Sequence, residues 1–161
     1  MKRIVLAIAG AAAILGLAAA TAPAAEPIAK VVLPGLSYQV LASGPGEGRH
    51  PTRADTITMR YVGRLTDGQV FSTSPGDGKG LSTFTVGQLI PGMNAALQLM
   101  RPGDRWRITM PPYLAYGPGR PLNTPTPAGA AGQTVQKHAI PPDATLVFDA
   151  ELVAILPPKT P

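Results

Sequence analysis

The clearest pattern of hydrophobic and polar positions lies between residues 88 and 117. From position 93, apolar residues recur at i, i+3, i+4 and i+7, and these are Met93, Ala96, Leu97 and Met100. This spacing predicts a short helix of about ten residues with one apolar face. Pro91 stands at its start, and the sequence RPGD at 101–104 predicts a turn at its end. Because so short a helix is unstable alone in water, we expect it to pack against neighbouring strands.

Six other segments alternate apolar and polar residues or are rich in strand-forming side chains: 36–41, 55–63, 69–73, 83–86, 105–110 and 145–155. The last has apolar residues on both faces, which is typical of a central strand. The pair Asp67-Gly68 predicts a tight hairpin between the second and third segments. Six strands joined mostly by hairpin-length loops, with one helix, predict an α+β fold in which an antiparallel sheet folds over the helix.

The N-terminal residues have a different pattern. Lys2 and Arg3 precede an apolar, alanine-rich run at 4–20, and candidate cleavage motifs of small residues follow at 18–20 and 22–24. This order predicts a secretory signal peptide over 1–25 and therefore an exported protein, either periplasmic or secreted. A permanent membrane anchor is the alternative, which the shortness of the apolar run disfavours. We expect a lead at 26–34, one domain at 35–157 and a tail at 158–161.

Composition excludes several classes of function. The formal net charge is +5 at pH 7, and it becomes +3 when Lys2 and Arg3 are subtracted. The remaining basic residues are scattered and are not interleaved with aromatic residues, so we expect no nucleic-acid partner. The absence of cysteine excludes disulfides, thiol catalysis and a lipid anchor on cysteine.

Two segments are predicted to be loops. Residues 74–81 (SPGDGKGL) are rich in glycine but lack the GxxxxGK[ST] spacing of a phosphate-binding loop. Residues 118–137 are rich in Pro, Gly, Ala and Thr and have no periodicity, which predicts a long surface loop.

Groups with catalytic chemistry are few. His50 lies in a proline-bounded loop without metal-ligand spacing, and we expect it to be a solvated residue. The sequence has no G-x-S-x-G turn, although spacing alone leaves a serine–histidine–acid triad open. Asp149 and Glu151 share one face of a predicted strand and could serve acid–base chemistry. A solvated strand face is the more usual role of such a pair.

Three segments together resemble a known family: YVGRLTDGQVF at 61–71, QLIPGMNAALQLMRPGDRWRITMPPYLAYG at 88–117, and AIPPDATLVFDAEL at 139–152. In their order and approximate spacing they resemble the FKBP-type peptidyl-prolyl cis–trans isomerases. The resemblance covers about residues 35–155. It implies a half-wrapped antiparallel β-sheet around one short α-helix, with an apolar pocket between the sheet and the helix.

The resemblance also implies the residues of that pocket. The implied catalytic residues are Tyr61, Phe71, Tyr116 and Phe148, and the implied substrate-binding residues are Leu89, Ile90, Met93, Ile140 and Ser72. Ser72 stands where the family usually has Asp, and Met93 where it usually has tryptophan or another aromatic residue. Neither a cofactor nor a metal is implied.

The implied activity is acceleration of rotation about X–Pro bonds in unfolded or loop polypeptides, which would assist the folding of exported proteins. Macrolides are the small-molecule ligands that the resemblance implies. Ser72 and Met93 keep an alternative open, namely a non-catalytic binding module or chaperone for exported polypeptides. A small-ligand binding protein is a third possibility. We expect a monomer, because the predicted helix is too short and too buried to form a dimer interface.

Overall fold

A computed structural model of the protein describes residues 31–33, 35–121, 130–131 and 135–157. The predicted signal peptide and the tail lie outside the described residues, as do parts of the predicted lead and of the 118–137 loop. In the part of the chain that the structure describes, no helix is long and apolar enough to cross a membrane.

The described strands form one antiparallel sheet. They are β1 (Val31–Leu33), β2 (Leu36–Ala42), β3 (Thr56–Leu65), β4 (Val70–Thr73), β5 (Ser82–Thr85), β6 (Arg105–Met110), β7 (Ala130–Ala131), β8 (Val135–Gln136) and β9 (Leu146–Ile155). The order across the sheet is β1-β2-β6-β9-β3-β4-β8, with β5 also beside β3 and β7 beside β5. All six predicted strands are confirmed, and so is the central position of β9, which pairs with β3 on one side and β6 on the other.

Three short strands were not predicted. β1 lies in the predicted lead, and β7 and β8 lie within the predicted loop, where they pair with β5 and β4. The prediction that 118–137 is loop throughout is therefore wrong at these positions. Strands of two or three residues are too short to show alternation, and they form here because a sheet edge offers unpaired backbone groups.

The helices are short. α2 (Pro91–Leu97) begins at a proline, as predicted, but has seven residues. Beyond it, the N–H groups of Leu99 and Met100 donate to the carbonyls three residues back (2.9 and 3.1 Å). The helix therefore ends earlier than predicted, although the Met100 side chain is still fully buried.

Other short elements are single turns. α1 (Pro75–Gly78) is a turn with left-handed backbone at Gly76 and Asp77, and 3₁₀ turns cover Val86–Gln88 and Pro112–Leu114.

The predicted hairpin between β3 and β4 is confirmed. Its turn has Gly68 at φ 91° and is bonded from the Leu65 N–H to the Gln69 carbonyl (2.9 Å). Only glycine adopts this φ without strain.

The core lies between α2 and the concave face of the sheet. Alternate residues of β3, β6 and β9 point into it, and they pack with residues of the helix and its flanks: Ile57, Met59, Leu97, Met100, Ile108, Met110, Leu146 and Leu152 are among the most buried. Near the sheet edge, the rings of Tyr38 and Trp106 stack at 4.1 Å. A seven-residue helix is thus stabilised by burial on a wide sheet rather than by its own propensity.

His50 is exposed, as predicted, but it also has a structural role. Its Nδ1 lies 3.0 Å from the carbonyl oxygen of Met100, and Arg101 Nε lies 3.3 Å from its Nε2. The 44–53 loop is therefore held against the end of the helical segment by contacts fifty residues apart in sequence.

Candidate functional site

Three aromatic rings from three adjacent strands meet at the concave face of the sheet. β3 contributes Tyr61, β4 contributes Phe71 and β9 contributes Phe148. The centroids of the two phenylalanine rings lie 5.5 Å apart with an interplanar angle of 86°, and the Tyr61 and Phe148 centroids lie 6.1 Å apart. Edge-to-face packing of this kind is favourable for aromatic rings. We call this set of three buried rings the aromatic wall.

Gly63 makes room for the aromatic wall. A Cβ atom at this position would lie 2.7 Å from Cζ of Phe71 and 2.9 Å from Cε1 of Phe148, closer than van der Waals contact allows. The backbone of β3 therefore touches both rings directly. Gly63 belongs to the segment 61–71 that carries the family resemblance, but the resemblance did not identify it as a pocket residue.

The helical segment that packs into the same cluster is apolar as well. Leu89 and Ile90 precede α2, Met93 lies within it, and all three belong to the cluster that contains the aromatic wall. Among the described residues, no acceptor takes the Ile90 N–H. Asn94, which is buried, donates from Nδ2 to the Val86 carbonyl (3.1 Å) and so fixes the approach to the helix. The Ile90 N–H is thus a candidate donor to a bound peptide.

Two loop segments, around Arg120 and around Ile140, are joined beside the hydrophobic cluster, and we call them the rim. Arg120 and Ile140 pair through reciprocal backbone hydrogen bonds of 2.8 Å each, which joins the segment after β6 to the segment before β9. Arg120 Nη1 donates to the Tyr116 hydroxyl oxygen (3.1 Å), and the guanidinium carbon lies 5.3 Å from the centre of the Tyr116 ring. Ile140 is buried and Tyr116 half-buried, so the hydroxyl stands at the edge of the apolar cluster.

The polar edge of the aromatic wall is neutral. The Ser72 hydroxyl is buried and lies 3.2 Å from the Tyr61 hydroxyl. Either oxygen can donate in this contact, and both groups are neutral hydroxyls.

β8 closes the outer side of β4. The Lys137 N–H donates to the Phe71 carbonyl oxygen (2.7 Å), and His138 Nδ1 lies 2.7 Å from the Val70 carbonyl oxygen. The Lys137 ammonium pairs with Asp77, and this hydrogen bond lowers the pKa of the Asp77 carboxyl. The pair ties the α1 turn to the residue that follows β8.

Eight of the nine residues that the resemblance implied belong to the hydrophobic cluster or pack against it, and Ser72 lies beside Tyr61, while their roles stay predictions. Sequence reasoning missed Phe84, whose ring lies 6.0 Å from that of Tyr61, and Arg120, which it counted among scattered basic residues. Phe84 stands in a predicted strand and could have been found from its alternation. Arg120 has no local signal, because its place depends on the pairing with Ile140.

Asp149 and Glu151 lie on the opposite face of the sheet, as the more usual role predicted. Asp149 accepts from Arg107 Nε (2.7 Å) and Arg64 Nη1 (2.8 Å), and Glu151 accepts from Arg60 (3.0 Å). Burial raises the pKa of Asp149, but hydrogen bonding and charge from Arg107 and Arg64 outweigh it, so the pKa lies below its ordinary value. This carboxylate pair is therefore bound by arginines on the face of the sheet that points away from the core.

The arrangement suits a rigid apolar group bound between the aromatic wall and α2, with neutral donors for flanking carbonyls. It has the composition of a small-molecule or peptide cleft, apolar with a few placed polar groups.

Comparison with known proteins agrees with this geometry. The family model of the FKBP-type peptidyl-prolyl cis-trans isomerases matches residues 47–153. The chain is 40% identical over 126 residues to the outer membrane protein MIP of Legionella longbeachae, covering 78% of this chain and 46% of that protein. It is 40% identical over 122 residues to the FKBP-type 22 kDa peptidyl-prolyl cis-trans isomerase of Escherichia coli K12, covering 76% of this chain and 50% of the relative.

A solved structure is similar over a larger share of its length. The peptidyl-prolyl cis-trans isomerase of Pseudomonas syringae pv. tomato superposes with a TM-score of 0.60 at 30% identity, covering 83% of this chain and 84% of that chain. By contrast, the chain spans about half the length of the curated relatives it matches.

Proposed function

The chain belongs to the family of FKBP-type peptidyl-prolyl cis–trans isomerases, and we propose that it accelerates rotation about X–Pro bonds in unfolded or loop segments of other polypeptides. The observation that carries this proposal is the aromatic wall of Tyr61, Phe71 and Phe148, which shares one hydrophobic cluster with Met93 of α2 and is suited to packing against a proline ring.

The physical chemistry of the reaction suits a site without a nucleophile. Rotation about the amide bond removes its resonance, and the barrier is roughly 18–20 kcal/mol. The planar amide is the more dipolar state, so an apolar pocket stabilises the twisted state relative to the planar one. Uncatalysed isomerisation takes tens of seconds or longer and can limit folding, so even a modest reduction of the barrier is useful.

The nine pocket residues take distinct roles in this proposal. Tyr61, Phe71 and Phe148 enclose the proline ring, and Met93 forms the floor on the helix side. The Tyr116 hydroxyl and the Ile90 N–H donate to carbonyls flanking the X–Pro bond. Leu89, Ile140 and Ser72 make the remaining contacts with the substrate.

A second candidate function follows from Ser72. Because this position carries a neutral hydroxyl paired with Tyr61 rather than the family's usual carboxylate, the cleft could bind polypeptides with little catalysis, as a binding module or chaperone. Ser72→Asp distinguishes the two functions. A sharp gain in isomerisation rate over a weakly active wild type would favour the binding module, and no gain over an already active wild type would favour the isomerase.

The cellular setting is also part of the proposal. The basic start, the apolar run and the small residues of the first 25 positions support export, and the relative in Legionella longbeachae is named an outer membrane protein. We assign the protein to the periplasm or the exterior, as a monomer that acts on exported polypeptides. Macrolides would compete for the same cleft.

The test is the cis-to-trans rate of a short X-Pro-Phe peptide. We expect Tyr116→Phe to lower kcat/KM by about three- to tenfold, the value of one hydrogen bond to the substrate. Phe148→Leu should lower it further, by about tenfold or more, because the ring that meets Phe71 edge-on is lost.

Tyr113→Phe is the matched control, because Tyr113 is 69% exposed and should leave the rate unchanged. Wild-type rates in both pocket variants, with folding verified by circular dichroism, would contradict the proposed function.

A further inference from the structure

We propose that Arg120 determines specificity in this pocket: it orients the Tyr116 hydroxyl toward the substrate and favours an acidic residue immediately before proline. The inference rests on the proposed isomerase function and adds a substrate preference to it. Three observations support it, namely the position of the Arg120 backbone, the direction of one hydrogen bond and the charges on the rim.

The Arg120 backbone is fixed beside the pocket. Its N–H donates to the Ile140 carbonyl and its carbonyl accepts from the Ile140 N–H, each at 2.8 Å. Ile140 is buried in the cluster that contains the aromatic wall. The side chain of Arg120 therefore starts from a defined point on the rim, and it is half-buried rather than free in solvent.

The hydrogen bond to Tyr116 has only one possible direction. A guanidinium has donors and no acceptor, so Arg120 Nη1 donates and the Tyr116 oxygen accepts. The hydrogen of the tyrosine hydroxyl must then point elsewhere, and it is available to a substrate carbonyl. Because the donor to the oxygen is a cation, the hydroxyl becomes a stronger donor in turn.

The charge of Arg120 is permanent, since a guanidinium stays protonated in proteins. It lies over the Tyr116 ring, 5.3 Å from the ring centre, a cation–π position that holds it at the rim. A peptide carbonyl bound by the Tyr116 hydroxyl brings the side chain before proline within several ångströms of this charge. An acidic side chain is attracted there and a basic one is repelled.

The other charged groups near the rim either pair with each other or oppose the positive charge of Arg120. Lys137 is paired with Asp77. Asp143, whose N–H donates to the Gly117 carbonyl (2.8 Å), brings a negative charge to the same rim. Removing the Asp143 carboxylate should therefore strengthen the preference that Arg120 creates.

The expected size of the preference is modest. A unit charge about 8 Å away in solvent changes binding by about 2.3-fold, so attraction of glutamate and repulsion of lysine together give about a fivefold ratio. Salt near 1 M shortens the screening length to about 3 Å and should abolish the ratio.

The experiment measures kcat/KM for Ala-Glu-Pro-Phe, Ala-Gln-Pro-Phe and Ala-Lys-Pro-Phe with the purified mature protein (residues 26–161). At low salt we expect a glutamate-to-lysine ratio of about five in the wild type, about one in Arg120→Gln, and a higher value in Asp143→Asn. Asn tolerates the positive φ of 55° at position 143, so that variant keeps its backbone.

Arg120→Lys separates charge from geometry. It should keep most of the ratio, because the charge remains, but lower the rate for all three peptides by about threefold, because an ammonium cannot both stack on Tyr116 and donate to its hydroxyl in the same way. Arg105→Gln is the control: it removes the same charge from the outward face of β6, where Arg105 is exposed, and should leave the ratio at five.

The outcomes are distinct. A wild-type ratio near one, or a ratio that Arg120→Gln leaves unchanged, overturns the specificity and leaves the isomerase function standing. If Arg120→Gln does not fold, the glutamate-to-lysine ratio is compared between wild type and Arg120→Lys at low and at high salt. A ratio that high salt abolishes in both proteins supports the proposal, and a ratio that salt leaves unchanged overturns it. Failure to accelerate any of the three peptides overturns the proposed function itself.

Discussion

Gly63→Ala places one methyl group against the two phenylalanine rings of the aromatic wall. Gly63 lies in β3 and its φ is not in the left-handed region, so alanine is compatible with its φ and the main effect comes from space. The new Cβ would stand 2.7 Å from Phe71 and 2.9 Å from Phe148, and each ring must retreat by about half an ångström or more to reach van der Waals contact.

The size of the effect follows from the burial of the rings. Phe71 is 1% exposed and Phe148 is 5% exposed, so neither can move into solvent. Overpacking a dense core by one methyl group destabilises by about 1–3 kcal/mol. For a chain of this length, that corresponds to a fall in Tm of about 3–10 °C. Displacing both rings of the proposed proline site should also lower kcat/KM by ten- to a hundredfold.

The assay combines thermal unfolding with the cis-to-trans rate of an X-Pro-Phe peptide. Gly44→Ala is the matched control, because its Cβ would meet the Pro102 carbonyl at 2.3 Å near the turn that precedes β6, away from the aromatic wall. The control should lower Tm but leave the activity of the folded protein unchanged. Phe148→Leu in the Gly63→Ala background should recover stability without recovering activity.

Two results would refute the reasoning. Wild-type stability in Gly63→Ala would mean that the rings do not pack against the backbone of β3. Reduced stability with full activity would mean that the position of the rings is not what the reaction requires.

Two further predictions concern stability. The pKa of Asp149 lies below its ordinary value because of Arg107 and Arg64, so the ionised carboxylate stabilises the fold above about pH 4, and this stabilisation is lost as pH falls through the folded-state pKa. Asp149→Asn should therefore lower Tm at pH 7 and flatten the fall in Tm between about pH 5 and pH 2. A parallel fall of Tm in both proteins would contradict this. Asn94→Ala removes the donor to the buried Val86 carbonyl and should lower the free energy of unfolding by about 1–3 kcal/mol. Urea unfolding measures this, and the m-value should stay unchanged. A change below about 0.3 kcal/mol would count against that hydrogen bond.

The elements that sequence predicted best are those whose own side chains repeat with a clear period. β9 alternates over ten residues, and the segment from Met93 to Met100, which starts in α2, carries a four-residue apolar face. The pocket residues could be named because three motifs together carry the family resemblance. The period of each element, and each of the three motifs, lies within one continuous segment of the chain.

What sequence could not predict depends on contacts between distant segments. β7 and β8 have two residues each and exist only through pairing with the edges of β5 and β4. Arg120 reaches Tyr116 because its backbone pairs with Ile140, twenty residues along the chain. A lone arginine in a proline- and glycine-rich loop gives no sign of such a position.

The most direct test of the proposed activity is the rate of cis-to-trans conversion of a short X-Pro-Phe peptide by the purified mature protein, with and without a macrolide of the rapamycin type. We expect a clear acceleration that the macrolide abolishes, since both ligands need the cleft between the aromatic wall and α2. No acceleration by protein that is folded by circular dichroism would contradict the isomerase function and leave the binding module in its place.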